Sequence, residues 1–208
     1  MVDLGDGKEW ITSRLYLVVT LVARMRGLRV MVFTASGLGG RQFIGSAQPE
    51  QVRWALAAAY PWLEVAHVRA WNNQIGALDP RTVERVHMSL TRDGRLDSWR
   101  AVQTFDAYKQ ELQAPAPPPG ASGWLDLSGK WERAEWVTPA MLTRMLGECL
   151  NQRAVQHDFD TPAEALARRV LRFPLDYVPT VDRAGNFLRV VARREYASRT
   201  LRHVADRQ

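Results

Sequence analysis

The amino-acid sequence predicts an α+β fold of two related strand-turn-strand-helix lobes with extra helices, and three observations carry that expectation. Tyr177-Val-Pro-Thr-Val-Asp-Arg-Ala-Gly-Asn-Phe-Leu-Arg-Val-Val-Ala-Arg-Arg-Glu-Tyr196 reads as strand, tight turn, strand and helix start. Val30 to Glu50 repeats that order, with a glycine-rich turn at Ser36 to Gly40 and a helix opening at Pro49-Glu50. Aligned without gaps from Gly40 and Gly185, the two runs place Ala47 on Ala192 and Glu50 on Glu195. Between and after them, helix starts recur at Pro49, Pro80, Pro139 and Pro162, where the missing proline amide would lack a partner in any case.

Taken in order, Trp10 to Arg26 puts Leu15, Val18 or Val19, Val22 and Met25 on one helical face, as for a helix packed on a sheet, and Gly27 stops it. Val30 to Phe33 and Gln42 to Ser46 read as a buried hairpin. The helix from Pro49 to about Tyr60 is expected to turn Val52, Leu56 and Trp54 inward. Asp79 to Leu90 and Ser98 to Gln113 read as helices with Arg92 to Arg95 as the turn between them. Ala114-Pro-Ala-Pro-Pro-Pro-Gly-Ala-Ser-Gly123 can neither continue a helix nor pair fully in a sheet, so it reads as a linker or a long surface loop. Taken as a linker, it divides an N-terminal lobe with a helical extension, 1–113, from a C-terminal lobe, 124–208.

After it, Trp124 to Val137 alternates about Ser128-Gly129 as a β-hairpin. A helix from Pro139 to Leu150 follows, with Cys149 at a core-like spacing. Thr161-Pro-Ala-Glu164 has the form of a capping box for a helix from Pro162 to Arg172. The strand pair and a helix from Arg193 to about Val204 close the chain.

The bulk composition excludes several classes. With 46% hydrophobic and 24% charged residues, the 208-residue chain is globular rather than disordered. Arginine in place of lysine fits the codon usage of a GC-rich, bacterial genome. Net charge is +6, of which residues 161–208 hold +5, a weaker concentration than many nucleic-acid binders use. The single cysteine excludes an internal disulfide and suits a reducing, cytoplasmic compartment. The apolar run Leu15 to Met25 is too short for a membrane span, which needs roughly 20 residues, and the acidic start does not read as a secretory signal. The four histidines show no paired metal spacing, and Asp158 and Asp160 in His157-Asp-Phe-Asp160 are explained by a strand end and a helix cap, so no metal is expected. Gly37 to Arg41 precedes a strand instead of a helix and is not a phosphate loop. No nucleophile motif is present, and no catalytic residues are expected.

The wording "VPTVDRAGNFLRVVARREY" resembles a CBS-type unit, the ligand-sensing module of cystathionine β-synthase and many regulators. Residues 155–204 follow that family's order of strand, helix, two strands and helix, and residues 10–60 follow it more faintly. The resemblance implies an adenine nucleotide held by a Ser or Thr and, three residues later, an Asp. Here those positions are Ala192 with Glu195 and Ala47 with Glu50, so both hydroxyls are absent and both Asp are lengthened. Glu50 and Glu195 remain able to accept from ribose hydroxyls, and Arg193 or Arg194 at a helix start to meet a phosphate. Equally, acidic residues suit the first turn of any helix.

Eight tryptophans are many for this length. Trp124, Trp131 and Trp136 cluster on the second hairpin, where Trp124 and Trp136 on one face would offer a patch to a protein partner, or cover the protein's own helix. The expected function is a non-catalytic regulatory or adaptor module without a cofactor, sensing an adenine-nucleotide-like ligand between two CBS-like lobes and contacting a protein. The alternatives are a basic nucleic-acid-binding accessory protein and a purely structural subunit.

Overall fold

Strand alternation, proline placement and left-handed turn residues account for most of the local structure. The protein's structure, a computed structural model, describes residues 1–23, 28–37, 39–75 and 98–198. The expected helix 79–90, Gly27 and the end of the last helix lie outside the described residues. The order is β1 (Val2–Asp3), α1 (Thr12–Ala23), β2 (Met31–Gly37), β3 (Gly40–Ala47), α2 (Pro49–Ala59), α3 (Pro61–Ile75), α4 (Ser98–Leu112), β4 (Gln113–Ala114), β5 (Trp124–Asp126), β6 (Trp131–Arg133), α5 (Pro139–Leu146), β7 (Val155–Gln156), α6 (Ala163–Arg172), β8 (Tyr177–Val181) and β9 (Phe187–Ala192), with helical residues at 193–198. The fold is α+β. Two compact units divide it: Met1–Gly7, Arg29–Gln48 and Glu148–Gln208 form one, Lys8–Leu28 and Pro49–Gly147 the other. The expected boundary at 114–123 does not coincide with this division.

In the first unit the two similar runs build the same strand pattern twice. β1 lies parallel to β2 with Val2 opposite Phe33, and β2 lies antiparallel to β3 with Met31 opposite Ala47. β7 lies parallel to β8 with Val155 opposite Thr180, and β8 lies antiparallel to β9 with Tyr177 opposite Ala192. Each antiparallel pair carries one register irregularity, at Phe33/Thr34 and at Thr180/Val181. Ala47 and Ala192 each pair with the first residue of the preceding strand, but the gapless alignment places Met31 on Asp176 and not on Tyr177, so the two hairpin registers differ by one residue. The two sheets meet through a bridge from Gln42 to Asn186, a bond from the Phe43 amide to the Gly185 carbonyl (3.0 Å), and stacked Phe43 and Phe187 rings 6.3 Å apart. Ser46 and Asn151 also exchange backbone bonds of 2.8 Å. Gly45 has no side chain because Leu150 lies on it: a Cβ would stand 2.6 Å from Leu150 Cδ1.

The later repeat has its own core. Leu166 and Val170, one turn apart on α6, pack with Val155, Phe173 and Val178, and Val191 and Tyr196 close over them. Burying each such side chain contributes about 1.5–3 kcal/mol. The capping box does not form. Pro162, with ψ of 137°, is the N-cap and offers no side-chain bond, so Thr161 lies one residue too early. Its hydroxyl accepts from the Asp158 amide at 3.0 Å and turns the preceding loop instead.

In the second unit α1 packs against α2, α3 against α4, and α2 against α5. Leu15 and Val19 are fully buried on α1 and Val18 is not, which settles the choice between them. Tyr16, Leu17 and Thr20 are buried too, so the helix is covered on more than one face. The start of α1 is tied to the chain after β6. The Thr12 amide donates to the Glu135 carbonyl (2.9 Å), the Thr12 hydroxyl accepts from the Glu135 amide (3.1 Å), and the Val137 amide donates to the Trp10 carbonyl (2.8 Å). At Thr138-Pro139 the proline-led helix start forms as expected, and the threonine hydroxyl caps it by accepting from the Met141 amide at 3.2 Å.

Helix α3 is not anticipated by the sequence. Its buried face is Leu63, Ala66, His67 and Ala70, whose small and polar members do not read as an apolar stripe. Two further expectations fail. Trp54 is 62% exposed, because α2 buries Val52 and Leu56 along one narrow face. Cys149 is exposed, because α5 ends at Leu146 and Gly147, at φ 50°, starts a 3-10 turn that carries the cysteine outward.

The second hairpin forms as expected. Ser128 and Gly129 adopt φ of 58° and 83°, and the Leu127 amide donates to the Lys130 carbonyl at 2.9 Å, the mirror-image turn that matches strand twist. β4 flanks β6 on its other side, giving the order β4-β6-β5. Residues 115–123 thus join two strands that pair with the same neighbour, and they are a surface loop within one unit.

Candidate functional site

Of the four residues expected to bind a ligand, Arg193, Arg194 and Glu195 share the helical start after β9, and Glu50 stands exposed in the first turn of α2, in the other unit. Glu195 and Arg194 are exposed. Arg193 is not free. Its Nη1 donates to the Phe173 carbonyl (2.7 Å), its Nη2 to Asp176 Oδ1 (2.8 Å), and its amide to the Asp176 carbonyl (2.8 Å). The guanidinium ties the loop between α6 and β8 to the helix start, which leaves Arg194 and Glu195 as the groups open to a ligand there.

A shallow, open cleft of about 590 Å³ lies elsewhere in the same unit, lined by His157, Asp158, Phe159 and Asp160 from the loop after β7, by Asp182, Arg183 and Ala184 from the β8–β9 turn, and by Leu188 of β9. Asp158 Oδ2 accepts from Arg183 Nε (2.9 Å) and from Gln156 Nε2 (3.1 Å). Asp182 accepts from the Asn186 side chain (2.9 Å) and amide (2.8 Å), and these bonds hold its carboxyl below the usual carboxylate range. Both carboxylates are therefore occupied in shaping the turn. Among the described residues no group of three His, Cys, Asp or Glu side chains could hold a metal ion.

The aromatic hairpin differs from expectation in one respect. Trp124 lies opposite Arg133 and Trp131 opposite Asp126, so Trp124 and Trp131 share a face as diagonal neighbours. Trp136 lies beyond β6, bridged to Ile11. All three indoles are half-buried. Trp62, which the sequence did not single out, carries the Arg133 guanidinium 4.2 Å above its ring, with Tyr60 edge-on at 5.1 Å. The other face of β6 presents Glu132, fully buried, which accepts from Ser13 Oγ at 2.6 Å and Arg14 Nη2 at 2.8 Å. Alternation along Trp131-Glu-Arg133 was the signal for that inward carboxylate, but its partners lie 118 and 119 residues away.

Tyr60 donates its phenol to Glu135 Oε2 at 2.9 Å. Burial, then that bond, pushes its pKa up to about 12. A phenol with a folded pKa above its unfolded value of about 10 contributes stability that is complete below pH 10 and lost as pH rises through 12. Melting midpoints should therefore fall between about pH 10 and 12, and Tyr60→Phe should flatten part of that fall. An equally steep fall in the variant would remove Tyr60 from the account.

Among the described residues no helix is long and apolar enough to cross a membrane. No protein-family model, curated protein or solved structure matches the chain.

Proposed function

We propose that this protein is a non-catalytic regulatory or adaptor module of CBS-like build, in which each repeat offers the first turn of its closing helix to an adenine-nucleotide-like ligand and the face of Trp124 and Trp131 meets a protein partner. The observation that carries the reading is residues 155–198: a short strand, a helix, an antiparallel strand pair with the first strand parallel beside it, and a helical start, closed over one apolar cluster. The earlier run has the same element order, β1-α1-β2-β3-α2, and the same strand directions. Ala47 and Ala192 offer no hydroxyl, so recognition rests on the exposed Glu50, Glu195 and Arg194, with Arg193 holding the helix start in place.

A thermal-unfolding screen tests this against ATP, ADP, AMP, S-adenosylmethionine and a short DNA duplex. A ligand at about 100 times its dissociation constant adds roughly 2.7 kcal/mol, which raises the midpoint of a chain this long by several degrees. The expected result is a salt-tolerant shift from one adenine compound that is abolished when Glu50→Ala and Glu195→Ala are combined. A shift from DNA alone that vanishes with salt would replace this reading with the nucleic-acid accessory one. No shift at all would leave a structural subunit.

A further inference from the structure

The proline-rich run 114–123 has no part in the nucleotide reading. Proline has no amide hydrogen and a fixed φ, so such a run adopts the polyproline II conformation at low entropic cost, the form that aromatic-lined grooves of proline-reading domains bind. The fold displays it. Ala114 pairs with Trp131 and Trp124 pairs with Arg133, so both ends of the loop are held on the single strand β6. Between them Pro115, Ala116, Pro118 and Pro119 are exposed and Pro117 is half-buried.

The chain bends at 115–116, continues without regular structure through 117–118, and turns at 119–120. There Gly120 adopts φ of 73° and the Ala121 amide donates to the Pro118 carbonyl at 3.0 Å. Proline then glycine at the two central positions of such a turn stops the run sharply. Three consecutive prolines, 117–119, thus stand on a folded stem, and part of the ordering cost of docking is already met. No charged residue occurs between Glu111 and Asp126, so whatever reads the loop does so through apolar and aromatic contact.

We propose that residues 114–120 are a docking segment for a partner domain that grips proline-rich sequence in an aromatic-lined groove. The inference goes beyond the nucleotide reading and stands on the second unit alone. Calorimetric titration of the full chain with an SH3, a WW and an EVH1 domain as probes tests it. Expected is saturable binding to at least one probe, little changed between about 0.15 M and 1 M salt and weakened roughly tenfold or more by Pro118→Ala with Pro119→Ala. A free proline-rich peptide that fills the probe's groove should displace the unaltered chain, a readout independent of how the variant folds. Absence of binding to all three probes, equal binding by the double variant, or no displacement by the peptide would each overturn the proposal. The nucleotide screen is unaffected by any of these results.

Discussion

Replacing Glu132 with alanine is expected to destabilise the protein by about 3–5 kcal/mol. The carboxylate is fully buried on β6 and receives the Ser13 hydroxyl at 2.6 Å and the Arg14 guanidinium at 2.8 Å. Tyr108, also fully buried, donates its phenol to the Ser13 carbonyl at 3.1 Å, and the Arg14 guanidinium stands 5.0 Å from the Phe105 ring centre. Alanine would leave a cation whose side chain is 24% exposed without its counter-charge, a hydroxyl without its acceptor and a cavity. A buried pair broken from one side costs more than the pair contributes, because the surviving charge keeps its desolvation penalty. Each kcal/mol moves the midpoint of a chain this long by roughly 2–4 °C, so a fall on the order of 10 °C should appear in a thermal melt. Glu132→Gln keeps the shape and an acceptor for Ser13, and should lose markedly less. A loss under about 1 kcal/mol for the alanine variant would mean that water replaces the carboxylate and that the site is less dry than its geometry indicates.

Phe173→Ala is expected to cost about 3–5 kcal/mol. Phe173 ends α6 and fills the cluster of Val155, Leu166, Val170 and Val178 that joins the helix to the sheet of β7–β9. Its carbonyl accepts from Arg193 Nη1, a backbone contact that alanine leaves in place, so the loss reports the ring alone. Hydrogen exchange should locate the loosening in residues 155–198, because the side chains that pack around Phe173 all lie between Val155 and Tyr196. Phe173→Leu refills most of the space and should fall well short of the alanine loss. If both variants melt alike, the ring does not fill the core as described.

Much of the local structure was legible in the residues. The turn at Ser128-Gly129, the stops and starts at Pro49 and Pro139, and the pairing of the strands around Gly185 each follow from a few adjacent side chains. The common strand-turn-strand order of the two runs was legible as well, whereas the one-residue offset between their registers was not. Helix α3 escaped notice because Ala66, His67 and Ala70 bury a face that lacks large apolar residues. Arg193 read as a free cation at a helix start, and its capture by Phe173 and Asp176 depends on how the α6–β8 loop returns. Trp131 rather than Trp136 joins Trp124 because the strand ends at Arg133, before Trp136.

Residue order alone decided the α+β character, the hairpin turns, the proline-led helix starts and the two similar strand-turn-strand runs, because each depends on steric and hydrogen-bonding preferences that act within a few residues. Tertiary structure alone decided that β1 and β7 lie parallel to β2 and β8, that Gln42 meets Asn186, that residues 114–123 form a loop clamped at both ends to β6, and that Glu132 finds Ser13 and Arg14. Those contacts close loops of up to 144 residues, from Gln42 to Asn186, and the entropy of closure is repaid only by burial and pairing summed over a whole unit, a quantity that no short stretch of sequence contains.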